Sequence, residues 1–401
     1  MSLNEYPEGV KKSSISSRDS YESVDISRYG QMIVGNRHDD ILCRFEYNNS
    51  NRDIATTVTG TGAASNSGSM AVASTGAGIG SCEFNSVRFL AYRPAHEIYA
   101  FGSVLFTAGA ADTSQKWGIY DTNDGLFFGY SGITFGLTIR KSTSDTFVAK
   151  SSWNRDKCDG TGSSGFNLDP TKNNQYKISY GWLGISPITF SVYGGASRGW
   201  IVCHVIDNSN VATTVTIDSP NFNIRWSSSR TVGAGAITVS VGSVSGGSTE
   251  GVHTHAGHRV FAGRVAAAIA AGTTHLATFH NKATFAGKTN KIRAEATFAG
   301  FSTECTKPVE FLFYRNATLA GMVYADIDTN NSVYEYSTAG TATGGTFELS
   351  IPLAKVDGQN IDMGAGHIHL EMFPNETMSI LALSTGAGDV VATFRWEEYF
   401  S

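Results

Sequence analysis

From about residue 84 the chain is built of short runs rich in Val, Ile, Phe, Tyr and Thr, each closed by Gly, Asn, Asp or Ser. VRFLAYR, IYAFGSVLFTA, KWGIYD, GLFFGYSG, ITFGLTIRK and TFVAKSSW follow one another, then YKISYGWLG, ITFSVYGG, WIVCHVID, ATTVTIDS and NFNIRWSSS. β-branched and aromatic residues suit a pleated, half-buried surface, and the small polar residues between them supply the turns. No stretch here keeps a 3.6-residue apolar period for three turns, so helices are not the building material. This pattern predicts an all-β chain of antiparallel sandwich or jelly-roll type.

The same signals divide the chain. Residues 1–35 are polar, mixed in charge and without a period, which predicts an extended N-terminal anchoring arm. Residues 54–80 are almost uncharged and alternate loosely in TTVTG and SMAVAST, as strands between glycine turns do. A first β-sandwich is expected over 36–245 and a linker over 246–272, where SGGSTEG is flexible in composition and VAAAIAAG (265–272) is the best short-helix candidate, with a buried strand as its alternative. A second β-sandwich over 273–401 is expected from VEFLFYRNATL, GTFELSIPL, TMSILALST and DVVATFRWEEYF.

Charge and cysteine usage exclude several classes. Only 16% of the 401 residues are charged and the net charge is −5, with no basic stripe, so nucleic acid is not expected as a direct partner. No apolar run is long enough to span a membrane as a helix, and the first residues lack the apolar core of a secretory signal. The five cysteines, Cys43, Cys82, Cys158, Cys203 and Cys305, are scattered without a CxxC pair. That spacing argues against a disulfide framework or a zinc knuckle and predicts free, mostly buried thiols.

Four polar constellations deserve a chemical reading. The stretch SSWNRDKCDGTGSSGFNLDPTK (151–172) has glycines and carboxylates, but no lysine follows the glycines as a phosphate loop requires. Asp156, Asp159 and Asp169 also miss the alternating spacing and closing glutamate of a calcium loop, so a long turn crossing the sandwich is expected. In DTNDGLFF (121–128), Asp-Gly between aromatic runs predicts a hairpin. In GVHTHAGHRV, His253 and His255 share a face of an extended chain and His258 follows a turn; three imidazoles would suit a divalent metal, and a polar linker is the plainer alternative. His367 and His369 repeat the spacing.

Templates for a catalytic serine, a zinc hydrolase or a dinucleotide site are missing, and no cofactor is expected. Glu397 and Glu398 suit an exposed terminal strand or an interchain contact. Aromatics beside glycine-rich loops would stack on sugar rings: Trp153, Trp182 and Trp200 first, with Tyr130, Tyr180 and Tyr193 behind them. Packing in the core is the competing role for each.

Two blocks carry a resemblance. One runs from GIYDTNDGLFFGYSG through SSWNRDKCDGTGSSGFNLDPTKNNQYKISYGWLG to WIVCHVIDNSN and SPNFNIRW; the other holds FAGKTNKIRAEATFAGFSTECTKPVEFLFYRNATLAG and the tail TFRWEEYF. Both resemble β-sandwich structural modules of virion proteins from tailed bacteriophages and large double-stranded DNA viruses. The resemblance implies a non-enzymatic particle component: a fibre, a tail or baseplate protein, or a head decoration. It would be assembled in the host cytoplasm as a trimer or ring with copies of itself and other virion proteins. A host surface glycan is a compatible ligand, which leaves a carbohydrate- or receptor-binding sandwich as the alternative and a glycan-degrading spike behind it.

Overall fold

The computed structural model describes residues 37–249, 258–354, 357–361 and 370–399. The arm expected over 1–35 lies outside them, as do His253, His255, His367 and His369. The chain divides into two compact units, Met1–His253 and Thr254–Ser401. Both are built from antiparallel strands, so the all-β expectation of two sandwiches holds.

Among the described residues of the first unit there are fifteen strands. They are β1 Arg37–Arg44, β2 Ile54–Gly60, β3 Ala63–Ser67, β4 Met70–Ser74, β5 Gly80–Ser86, β6 Ile98–Phe106, β7 Thr113–Tyr120 and β8 Gly125–Ser131. The rest are β9 Thr134–Lys141, β10 Ser144–Ala149, β11 Asn174–Tyr180, β12 Ile188–Tyr193, β13 Trp200–Ile206, β14 Ile224–Arg230 and β15 Thr238–Thr249. One sheet has the order β13-β12-β11-β6-β15-β4-β3, with β1 added along the second half of β15. The other has the order β10-β9-β8-β7-β14-β5-β2.

Their inner faces follow from alternation. Ile98, Ala100, Val104 and Phe106 of β6 point inward, as do Tyr176, Ile178 and Tyr180 of β11, and they meet Trp117, Phe128 and Trp226 from the facing sheet. Rings interlock across the gap: Phe128 lies 5.3 Å from Phe190 edge-on, and Phe106 lies 5.5 Å from Phe135. Aromatic pairs in such tilted geometry add about 0.5–1.5 kcal/mol each to the burial of their area.

In the second unit, strands Gly388–Tyr399 and Arg293–Thr303 form the centre of a five-stranded sheet, with His258–Ile269 at its edge beside Gly388–Tyr399. Gly272–Asn281, Thr377–Ser384 and Val309–Arg315 form the centre of a six-stranded one. Phe301 packs on Phe311 at 4.7 Å and Phe279 on Phe394 at 5.3 Å, closing the core between them. Arg315 is bound by Glu348 at 2.9 Å and Glu376 at 2.6 Å, with all three side chains partly buried.

Several segments depart from expectation. Strand β15 runs on to Thr249 and the next strand starts at His258, so the linker expected over 246–272 is mostly strand; VAAAIAAG lies largely in that strand, not in a helix. VRFLAYR forms no ladder, because its amides bond outside any strand backbone: Leu90 N–H to Phe222 O, Ala91 N–H to the Asp40 carboxylate of β1 and Tyr92 N–H to the Asn221 side chain. ATTVTIDS is likewise irregular. The N–H groups of Thr216 and Ile217 share the Leu183 carbonyl, and Ile217 is buried as a plug. Both runs have strand composition, but the partners of these amides are side chains, a helical turn and loop carbonyls, not the backbone of a neighbouring strand.

Candidate functional site

The outer face of the eight-stranded sheet carries the candidate site. On β6 the residues alternating with the core are Tyr99, Phe101, Ser103 and Leu105. Register places Lys177 of β11 beside Phe101, Ser191 of β12 beside Lys177, and Val202 of β13 beside Ser191. Neighbouring strands lie about 4.8 Å apart, so Phe101 and the β13 strand are separated by about 14 Å at the backbone. The ring centroids of Phe101 and Trp200 are nonetheless 5.3 Å apart, so the two rings lean together over the strip between them. Tyr193, paired with Trp200 across the strands, adds a ring at 5.5 Å, and Tyr99 adds one at 5.3 Å from Phe101.

This row is apolar yet open to solvent at one end: Trp200 is 38% exposed and Val202 39%. Its other end is anchored, because buried Tyr99 donates its hydroxyl to Asp39 at 2.7 Å, which also accepts from Ser245. Polar groups border the rings. The Lys177 ammonium sits 5.5 Å from the Phe101 centroid and 4.0 Å from a Glu97 oxygen. The rings are mutually tilted by 54–59°, and an exposed ring face with donors and acceptors beside it suits a sugar, whose C–H groups meet the ring while its hydroxyls meet the polar rim.

The other expected contacts fare differently. Trp153 is 3% exposed and packs edge-on against Phe128 at 6.1 Å and Phe135 at 6.3 Å, so it belongs to the core and offers nothing to a ligand. Tyr180 is buried with its hydroxyl donated to Pro220 O, and Tyr130 packs on Phe135. Trp182 is exposed, in a one-turn helix (Trp182–Gly184) where Trp182 and Leu183 both have left-handed φ. It follows β11 at the end that meets Ile98, whereas Trp200 pairs with Tyr193 at the far end of β12. The two tryptophans therefore do not share a site. Phe101 was missed in the sequence, since nothing local shows that it and Trp200 converge.

The long crossing loop is a packed plug. It joins β10 of one sheet to β11 of the other. Asp156 is buried; burial works against its charge, but the N–H groups of Ser164 (2.9 Å) and Cys158 (2.8 Å) more than offset it and hold the carboxyl below its usual range. Asp159 takes the hydroxyl and N–H of Thr161, and Asp169 those of Thr171; both are lowered by those bonds, the hydroxyl first. These carboxylates, whose spacing does not fit a calcium loop, are thus turn staples, as a long crossing turn requires.

The hairpin at Asp-Gly is as expected, with Tyr120 paired to Gly125. Asp121 accepts from Asn123 and Asp124 N–H, and buried Asp124 accepts from Ser142 and Ser219 N–H.

Among the described residues there is no group of three His, Cys, Asp or Glu placed to hold a metal ion. His253 and His255 are outside those residues, and His258 opens a strand opposite Tyr399. No helix among the described residues is long and apolar enough to cross a membrane. Glu398 is not an exposed tail residue. It is fully buried, accepting from Ser332 Oγ at 2.5 Å, Val333 N at 3.0 Å and Trp396 Nε1 at 3.3 Å.

No protein-family model matches the chain, and no curated protein matches it significantly. Among solved structures, it is similar in backbone to a Bacillus licheniformis β-glucanase, with 10% identity and TM-score 0.34 over 53% of this chain and 99% of that one. The Emp47p carbohydrate recognition domain aligns at 12% identity and TM-score 0.33 over 53% and 95% of the two chains. The apo Crh5 transglycosylase aligns at 14% and 0.36 over 53% and 86%.

Proposed function

We propose that the chain is a non-enzymatic structural protein of a virion whose first sandwich binds carbohydrate on the outer face of its eight-stranded sheet. The observation that carries the binding half is the row Tyr193–Trp200–Phe101, whose solvent-facing end is an aromatic surface at an edge strand. Apolar rings left in water at a sheet edge are costly unless a partner covers them, and sugar C–H faces are suited to do so. The structural half is supported by the two blocks that resemble virion modules. In the first of these, polar groups that sequence would offer to chemistry are used up inside loops, as Asp121, Asp124, Asp156, Asp159 and Asp169 are.

A glycan array read with wild type and Trp200→Ala tests the binding half. Wild type is expected to retain a defined set of glycans and W200A to lose at least about tenfold in affinity, the loss of one stacking face being worth about 1.4 kcal/mol or more. Retention of no glycan by wild type, or equal retention by W200A, defeats the binding face. Mass spectrometry of purified particles from the source tests the structural half separately: the chain is expected at a fixed copy number per particle, and its absence would end that assignment alone.

A further inference from the structure

Two of the five buried thiols meet. Cys158, in the crossing loop, and Cys203, on edge strand β13, have their sulfurs 3.5 Å apart, and both residues are fully enclosed. They lie under the clip that holds loop to strand. Arg155 and Asp156 N–H both donate to Cys203 O at 3.1 Å, and Leu168 N–H donates to Cys158 O at 2.8 Å. The Asn154 side chain continues the clip by bonding both ways with Val205, giving at 2.7 Å and accepting at 2.9 Å.

We propose that Cys158 and Cys203 are an oxidative modification site, closing into a disulfide that ties the crossing loop to β13 when the chain meets a low-molecular-weight disulfide such as oxidised glutathione. A disulfide bond of about 2.0 Å requires the sulfurs to approach by about 1.5 Å, within the reach of small side-chain rotations. The exchange balances in two steps. One cysteine loses its proton to water, and its thiolate attacks the small disulfide, forming a mixed disulfide and releasing one small thiolate. The second cysteine, also deprotonated, attacks the protein sulfur of that mixed disulfide and releases the other. Two electrons pass to the small disulfide and two protons end on the released thiols. Burial, and after it the neighbouring Cys158 thiol, push Cys203 well above the usual thiol range. Attack therefore proceeds while the loop is open, during folding or local unfolding. The bond then makes permanent the cover that the clip already places over the Cys203–Val205 stretch of this edge strand.

The test uses the full chain, reduced, then either exposed to oxidised glutathione or refolded from denaturant in it, quenched with N-ethylmaleimide and read by peptide mass spectrometry. The expected product is one cross-linked peptide pair, 158 with 203, with Cys43, Cys82 and Cys305 alkylated. Limited proteolysis within 157–166 is expected to slow about tenfold in the oxidised form, since cleavage follows loop opening. The double variant Cys158→Ala/Cys203→Ala should show no change with oxidant; if it fails to fold, the wild-type cross-link map alone decides. Both thiols alkylated under every condition, or a link to another cysteine, overturns the site. A link that leaves cleavage unchanged overturns the tie.

Discussion

Gly102→Val is expected to cost the first sandwich about 3–5 kcal/mol and lower its melting temperature by about 10 °C. Valine favours strands over glycine, so without a clash the substitution would stabilise. Gly102 sits mid-sheet in β6, opposite Tyr176 and Val244, and faces inward. A Cβ there would come within 2.4 Å of two carbons of the Trp117 indole. That ring is fully buried, with Tyr176 at 6.0 Å, so it has no open side into which to move. The expected signature is non-additivity. Trp117→Leu alone should destabilise by a few kcal/mol through the cavity it leaves, but in the G102V background it should recover part of the loss. Chemical denaturation followed by fluorescence gives the cycle; a G102V chain as stable as wild type, or purely additive losses, would falsify the packing described for this pair.

How much of this was legible beforehand depends on the range of the contact. The alternation in IYAFGSVLFTA, KWGIYD and YKISYGWLG marks β6, β7 and β11, and Asp-Gly marks the β7–β8 turn, because those signals are local. Strand partners are not local. β6 lies between β11 and β15, and β14 inserts between β7 and β5. Nothing in the strand sequences specifies those neighbours, so the convergence of Phe101 on Trp200 could not be read. The same limit hid the fate of the loop tryptophan. Trp153 stands among Ser, Asn, Arg and Asp, a setting that reads as surface, yet the segment folds back over Phe128 and Phe135. VRFLAYR and ATTVTIDS show the converse: good strand composition whose amides find side chains, loop carbonyls and a helical turn instead of a neighbouring strand's backbone. Cys158 and Cys203, scattered in sequence, become adjacent for the same reason that Phe101 and Trp200 do.

Glu398→Ala is expected to be the most damaging single change in the second unit. The carboxylate is fully enclosed near the chain's end and takes three donors: the Ser332 hydroxyl, the Val333 N–H and the Trp396 indole N–H. Ser332 is itself held, its oxygen accepting from Tyr334 N at 3.0 Å. Truncation strands buried donors at about 1–3 kcal/mol each, so a loss of about 3–5 kcal/mol follows. Hydrogen exchange in peptides covering 332–337 and 394–399 localises it; unchanged protection there would contradict the arrangement. Glu398→Gln isolates the charge. Burial raises the Glu398 carboxyl, and the bonds from Ser332, Val333 and Trp396 only partly reverse this, so its folded-state value stands above the ordinary glutamate value. The folded state therefore binds the proton more tightly than the unfolded one. Its contribution is fully present below the ordinary glutamate range and is lost as pH rises through the raised folded value. The advantage of wild type over E398Q should accordingly be greatest in acid and shrink as pH climbs through that window. An advantage that stays constant or grows with pH would mean that the three donors, not burial, govern this carboxylate.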